Sequence, residues 1–189
     1  MNKKTFQKFR EIVYDNSGIT LNDSKEAMVS SRIEKRMRTL GIDDHTHYLQ
    51  LLLEDETGDE ITLFLDAIST NVTSFFREHE HFEFLGELVS EWVKNGKHKI
   101  RIWSAASSSG EEPYSIAMTL LVAADVQKID MRILGTDIST RVLEKAKAGA
   151  YSAAAMENIP DNLKKKFFSV KKEGSENIYV SRDILKKLI

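Results

Sequence analysis

Cysteine is absent and proline occurs only twice in 189 residues, at Pro113 and Pro160. Without thiols the chain forms no disulfide and no thiolate metal site, which fits a cytoplasmic compartment. With so little proline, no Pro-rich linker separates its parts. Runs of about 18 apolar residues are also missing, so no membrane-spanning helix is expected. The opening Met1-Asn2-Lys3-Lys4-Thr5-Phe6 lacks the apolar core of a secretory signal. Nor is there a strong charge of one sign: the net charge is −2, which excludes a nucleic-acid polycation. The chain has no P-loop and no G-x-S-x-G elbow. His45/His47 and His79/His81 sit two apart, a spacing that turns helical side chains away from each other and makes poor metal ligands, so no metal is expected.

What is present is an ordinary soluble composition, 41% hydrophobic and 30% charged, with the charge unevenly placed. Residues 1–40 carry a net +4, residues 41–91 a net −12 and residues 92–189 a net +6. Arg77 is the only basic residue in the acidic middle stretch. The plain explanation is a helix-surface partner for Glu80 or His81; the alternative is a task of its own.

Hydrophobic spacing predicts helices across the first 95 residues. One is built on Phe6, Phe9, Ile12 and Val13 and stopped by Asn16-Ser17-Gly18. A second, capped by Asp23 or Ser24, runs to Leu40 and carries Arg32, Lys35, Arg36 and Arg38 on its other face. That basic face reads either as solvated surface or as a docking surface for an acidic partner helix. Shorter helices follow over 46–53 and 61–68, and a longer one over 78–94. Between the last two, Ser69-Thr70-Asn71-Val72-Thr73-Ser74-Phe75-Phe76-Arg77-Glu78 is a polar loop followed by two aromatics, with Thr73 or Ser74 placed to cap the next helix.

At Lys97 the period changes. His98 to Ala106 alternates as a strand, Ser107-Ser108-Ser109-Gly110 is a loop, and Glu111 to Val126 is an apolar helix opened by two acids and Pro113. Met131 to Asp137 is a second strand, followed by a helix over 141–148 that Ser139 can cap. This is the first βαβ unit of a parallel α/β sheet. Further on come a short helix over 161–168, a β-hairpin over 168–180 and an amphipathic end. The expected domains are a helical one over 1–70, a linker loop and helix over 71–96, and an α/β part over 97–189 that includes the hairpin at about 160–181.

The small-residue loop after the first strand admits a ligand close to the backbone, and Asp137 is placed to accept hydrogen bonds from a ribose diol. It follows Gly110 by 27 residues, more than the ~20 of the dinucleotide rule. Glu111 and Glu112 open the next helix where a pyrophosphate would otherwise sit, and they suit an ammonium instead. Ribose, adenosine and an α-amino group together describe S-adenosylmethionine. A purely structural βαβ unit, with acids serving the helix dipole, stays open as the alternative.

Three stretches together resemble the CheR-type chemoreceptor glutamate methyltransferases: Thr70 to Glu78, Trp103 to Ala117, and Gly135-Thr136-Asp137-Ile138-Ser139 with Val142-Leu143-Glu144-Lys145-Ala146. The resemblance covers the whole chain. It implies a small all-helical N-terminal domain followed by the first part of a Rossmann-like methyltransferase sheet with an antiparallel β-subdomain. It also implies S-adenosylmethionine as methyl donor, S-adenosylhomocysteine as product, and glutamates of the cytoplasmic helical domain of chemoreceptors as acceptors. On that resemblance Asn71, Thr73 and Arg77 border donor and acceptor, with Arg77 as the catalytic residue. Glu112, with Glu111 as second choice, holds the donor's amino-acid end, and Asp137 holds the ribose. The basic helix face of Arg32, Lys35, Arg36 and Arg38 meets the acidic receptor, and the hairpin belongs to a subdomain that docks a receptor tail in some members.

The chain departs from the family in length. The later strands, and a segment like Asn-Val-x-Ile-Tyr-Phe, are not found. A truncated chain with impaired catalysis and an open sheet edge is expected, and that edge invites a homodimer. Two further readings are a non-catalytic partner-binding module and a generic nucleotide-binding βαβ fragment.

Overall fold

The computed structural model describes residues 1–124 and 129–189, which form two compact units. The first comprises 1–70 with 138–140, and the second 71–137 with 141–189. No helix among the described residues is long and apolar enough to cross a membrane.

The first unit is helical: α1 (Lys3–Ser17), α2 (Glu26–Leu40), α3 (His45–Leu53) and α4 (Asp59–Ile68). Asn2 caps α1 by accepting the Thr5 N–H at 2.8 Å, and Gly18 ends it in a left-handed turn. The expected cap of α2 is not made. Asp23 instead accepts from Arg10, Ser24 donates to Asn22, and a short 3₁₀ turn over Asp23–Lys25 leads into the helix. The core is apolar and aromatic, with Phe9, Tyr48 and Phe64 meeting at centroid distances of 5.6–6.3 Å.

That core explains half of the basic face of α2. Arg36 donates through Nε and Nη2 to the two oxygens of Glu60, at 2.9 and 2.5 Å, and Tyr48 Oη donates to Glu60 Oε1 at 2.8 Å. Arg32 donates to the carbonyls of Ile68 and Ser69, where the end of α4 leaves acceptors without helical partners. The docking face expected from Arg32, Lys35, Arg36 and Arg38 therefore shrinks to Lys35 and Arg38, which are exposed. Sequence spacing cannot tell a solvated arginine from one that caps a neighbouring helix.

The second unit begins with α5 (His79–Lys94), then β1 (Lys99–Ala105), α6 (Glu111–Ala123), β2 (Asp130–Thr136) and α7 (Thr140–Ala148). β1 and β2 pair in parallel with Trp103 opposite Leu134 and Ala105 opposite Thr136. Ile100, Met131 and Ile133 pack with Met118 and Leu120 of α6, while Phe82 and Val89 bring α5 into the same core. Helix α5, set apart in the sequence as a linker piece, is thus part of this unit. The expected end of the α6 helix at Val126 lies outside the described residues.

The opposite face of the parallel pair is uncovered: Trp103 is 67% and Leu134 61% exposed. The outer edge of β2 is not wholly open, because Ile133 N–H donates to the carbonyl of Leu188 at 2.6 Å. A second sheet of order β3-β5-β4 is antiparallel, built from β3 (Ala150–Ser152), β4 (Phe168–Glu173) and β5 (Glu176–Ser181). The hairpin is where its sequence pattern put it, and α8 (Asp161–Phe167) precedes it. The three-residue β3 is too short to show a period in sequence. The short α9 (Asp183–Lys186) closes the unit.

Gly149 joins α7 to β3 at φ +58°, and a Cβ there would lie 2.1 Å from Ser181 Oγ and 2.5 Å from Tyr114 Oη. Gly149→Ala combines a left-handed backbone penalty with overpacking against two buried side chains. A loss of about 2–3 kcal/mol is expected. Urea denaturation followed by tryptophan fluorescence measures it, and an unchanged midpoint would show that the packing at Ser181 gives way freely.

Candidate functional site

The parallel register brings the carboxyl ends of β1 and β2 side by side, the place where open α/β sheets bind ligands. Two loops converge there, residues 71–78 and 106–110. They contain all four of the non-glycine residues with positive φ among the described residues: Phe76 (52°), Glu78 (56°), Ala106 (64°) and Ser108 (48°). Each such residue costs of order 1–3 kcal/mol, so their confinement to this place marks it as one the surrounding fold holds under strain.

Packing and hydrogen bonding supply the restraint. Phe75 is fully buried and meets Tyr151 edge-on at 4.8 Å and Phe168 at 5.9 Å. Phe76 N–H donates to Ser115 Oγ on α6 at 3.0 Å. Neither Thr73 nor Ser74 caps α5, which starts later, at His79 after the left-handed Glu78. In the other loop Ser107 N–H donates to the Thr136 carbonyl at 2.8 Å. Gly110, at φ +99°, passes so near Tyr151 and α7 that a Cβ would sit 2.8 Å from Tyr151 Oη and 3.0 Å from Ala146.

Ser108 joins the stretches. Its N–H donates to Asp137 Oδ2 at 2.8 Å and its Oγ to the Asn71 carbonyl at 3.4 Å. Asn71 and Asp137, 66 positions apart, are thereby brought to one residue, the first at its hydroxyl and the second at its backbone N–H. Beside them Ser107 Oγ is buried without a partner, next to Gly135, whose added Cβ would lie 3.2 Å away. A buried hydroxyl left unsatisfied is a polar demand that a ligand can meet.

The two glutamates at the start of α6 differ. Glu111 is 8% exposed and accepts from Ser109 Oγ at 2.7 Å. Glu112 is exposed and accepts from Ser104 Oγ, also at 2.7 Å. Tyr151 Oη donates to the Ser109 carbonyl, and burial, reinforced by the nearby Glu111 charge, pushes its phenol above the ordinary tyrosine range. Thr73 is half-buried and forms no hydrogen bond among the described residues. Arg77 is exposed, its Nη1 donating to the Val72 carbonyl at 3.1 Å and so closing its own loop. Of the six candidates, these hydrogen bonds join Asn71 and Asp137, and carboxylates at the ends of the strands and at the start of α6 suit a diol and a cation better than a pyrophosphate.

Sequence reading singled out Asn71, Thr73, Arg77, Glu111, Glu112 and Asp137, but not Ser108, Ser115 or Tyr151. Ser108 reads in sequence as a loop former and Ser115 as one more position of the acid-opened helix. Their signal is that the turn around Ser108 must satisfy a strand-end carboxylate, which a short hydroxyl residue in a left-handed conformation does with its backbone N–H.

Residues 71–189 match the family model described as CheR methyltransferase, SAM binding domain, and residues 4–69 match the model of the CheR methyltransferase all-alpha domain. The chain is 37% identical over 163 residues to a chemotaxis protein methyltransferase of Escherichia coli K12, covering 86% of this chain and 56% of that protein. It is 41% identical over 167 residues to chemotaxis protein methyltransferase 2 of Pseudomonas aeruginosa, covering 88% and 58%. A chemotaxis protein methyltransferase of Borreliella burgdorferi is 36% identical over 195 residues, covering 99% and 68%. The chain thus spans between about half and two thirds of the length of these relatives.

Proposed function

The chain belongs to the CheR methyltransferase family, and from that premise we propose that it binds S-adenosylmethionine where residues 71–78 and 106–110 converge, and that the donor's methyl group goes to glutamate side chains of chemoreceptors. The observation that carries this reading is the Ser108 joint, whose backbone N–H meets Asp137 and whose hydroxyl meets the Asn71 carbonyl, beside the unsatisfied Ser107 hydroxyl. When bound, the donor supplies a methyl group activated by a sulfonium.

Each residue has a part. Asp137, fixed by the Ser108 N–H, accepts from the ribose hydroxyls. The amino-acid end is held by Glu112, the exposed acid, whereas the buried Glu111 is engaged with Ser109 and steadies the turn. Asn71 and Thr73 border the donor, and Arg77 orients the acceptor carboxylate through charge-assisted hydrogen bonds. No general base is required, because a glutamate with an ordinary pKa near 4.3 is already ionised at neutral pH. Lys35 and Arg38 are the part of the basic helix face that remains available to an acidic receptor bundle.

Catalysis by this chain alone is weak on this reading, since the parallel pair keeps one face bare at Trp103 and Leu134. Should two copies associate, they do so along β1, because Leu188 takes part of the β2 edge. A module that docks a receptor without transferring methyl is the second reading, favoured by that same bare face.

Calorimetric titration with S-adenosylhomocysteine, ATP and NAD tests the site. Binding of S-adenosylhomocysteine at least tenfold tighter than either nucleotide is expected, and equal or tighter nucleotide binding would overturn the proposal. Transfer of labelled methyl to receptor bundles, assayed on this chain and on a form extended to the relatives' length, separates the enzyme from the docking module.

A further inference from the structure

The second unit carries a groove away from the strand ends. It has a volume of about 750 Å³ and runs between α5 and α6, with α8 at one side. Phe82, Met118, Val122 and Leu163 line its apolar floor. Val122 is 61% exposed, so this floor is open to solvent. Gly86 lowers the α5 wall: a Cβ there would be in ordinary contact, 3.6 Å from Thr119 Cγ2.

One rim is predominantly acidic, with His79 at one end and Lys94 at the other, and the opposite rim is uncharged. Glu83, Glu87 and Glu91 recur every four residues along α5 and border the groove, whereas Pro160, Asn162 and Leu163 face them. At 1.5 Å per residue the three carboxylates span about 12 Å. Like charges at this spacing destabilise a helix unless an opposite charge answers them. Among the described residues His79, 3.3 Å from Glu83, is the side chain paired with the row, as an ion only when protonated, whereas Glu87 and Glu91 are exposed and form no ion pair, with Lys94 included.

We propose that this groove docks an amphipathic helix of a partner protein, its apolar face on Phe82, Met118 and Val122 and a flanking row of lysine or arginine residues along Glu83, Glu87 and Glu91. The shape is linear and apolar, which is how a helix is received by a groove. Charge on one rim alone fixes which flank of the helix is basic, and with it the helix's direction. This is a cationic partner, distinct from the acidic receptor surface assigned to Lys35 and Arg38.

The probe is an 18-residue fluorescein-labelled peptide of leucine and lysine with one apolar face, compared by anisotropy with the same peptide carrying glutamate for lysine. The lysine peptide should bind the intact chain at least tenfold tighter than the glutamate one. Glu87→Lys with Glu91→Lys should weaken it about tenfold, and Thr119→Trp should block it by filling the floor. Circular dichroism verifies folding, and if Thr119→Trp unfolds, the solvent-exposed Val122→Gln makes the same test of the floor. Binding that survives a filled or depolarised floor would reduce the effect to surface charge attraction and overturn the proposal. So would a dimer of the chain that dissociates on Glu87→Lys with Glu91→Lys, which would give the groove to a second copy.

Discussion

In the form extended to the relatives' length, Arg77→Ala is expected to lower methyl transfer on the order of 1000-fold while weakening S-adenosylhomocysteine binding tenfold at most. The proposed reaction joins an ionised carboxylate to a methyl group already activated by positive charge. Little remains for the protein beyond alignment and the exclusion of water, and alignment is sensitive to displacements of about 1 Å. Arg77 is the only cation between residues 41 and 91, it is exposed, and one of its nitrogens is anchored on the Val72 carbonyl. That anchor leaves further guanidinium N–H groups for a carboxylate. Arg77→Lys restores the charge without the planar fork and should stay about 100-fold below wild type. Because Val72 loses a hydrogen bond in both variants, their stability should fall by no more than about 1 kcal/mol, read from urea midpoints. Complete loss of S-adenosylhomocysteine binding in Arg77→Ala would reassign the residue to the donor, and unimpaired transfer would remove it from the site.

The loop that carries Arg77 was legible in sequence as a polar stretch ending in two aromatics, and the reason it holds its shape was not. Phe75 is anchored by Tyr151 and Phe168, residues 76 and 93 positions away, on strands whose packing no local period reveals. The βαβ unit could be read because its alternating strands and acid-opened helix are local patterns, and the hairpin could be read from its turn. Helix ends were less legible. The acid at Asp23 and the hydroxyl at Ser24 matched the capping pattern for α2, but Arg10 and Asn22 engage them instead. Half of the basic face of α2 is engaged for a similar reason: Arg32 and Arg36 answer carbonyls and a carboxylate at α4, and only the fold places those acceptors beneath them. At the candidate site, Glu111, Glu112 and Asp137 drew notice by residue type and position and Asn71 through the family resemblance, whereas the Ser108 joint depends on backbone angles that composition does not display.

Alkaline pH is expected to unfold the two units with different steepness. Tyr48 in the first unit, and Tyr114 and Tyr151 in the second, are 0%, 3% and 6% exposed. Burial pushes all three phenols above the ordinary range, aided by Glu60 at Tyr48 and by the Glu111 charge at Tyr151. A group whose pKa is raised on folding keeps its proton in the native state after the unfolded chain has released it. The associated stability is therefore complete below the unfolded tyrosine pKa of about 10 and is lost as pH rises beyond it. Tyr48 in the first unit and Tyr151 in the second, both strongly shifted, each add about 1.4 kcal/mol of loss per pH unit, and Tyr114 adds to the second unit in the same direction. Trp92 and Trp103 both lie in the second unit, so tryptophan fluorescence follows that unit while circular dichroism follows the whole chain. Tyr151→Phe forfeits the hydrogen bond to Ser109, at about 1 kcal/mol near neutral pH, yet it should make the alkaline slope seen by tryptophan shallower by about 1.4 kcal/mol per pH unit. The difference between the two proteins isolates the phenol from lysines titrating in the same range. Equal slopes in wild type and Tyr151→Phe between pH 10 and 12 would show that this phenol reaches solvent before the unit unfolds, and that the packing of Phe75, Tyr151 and Phe168 holds the strained loop less firmly than its geometry implies.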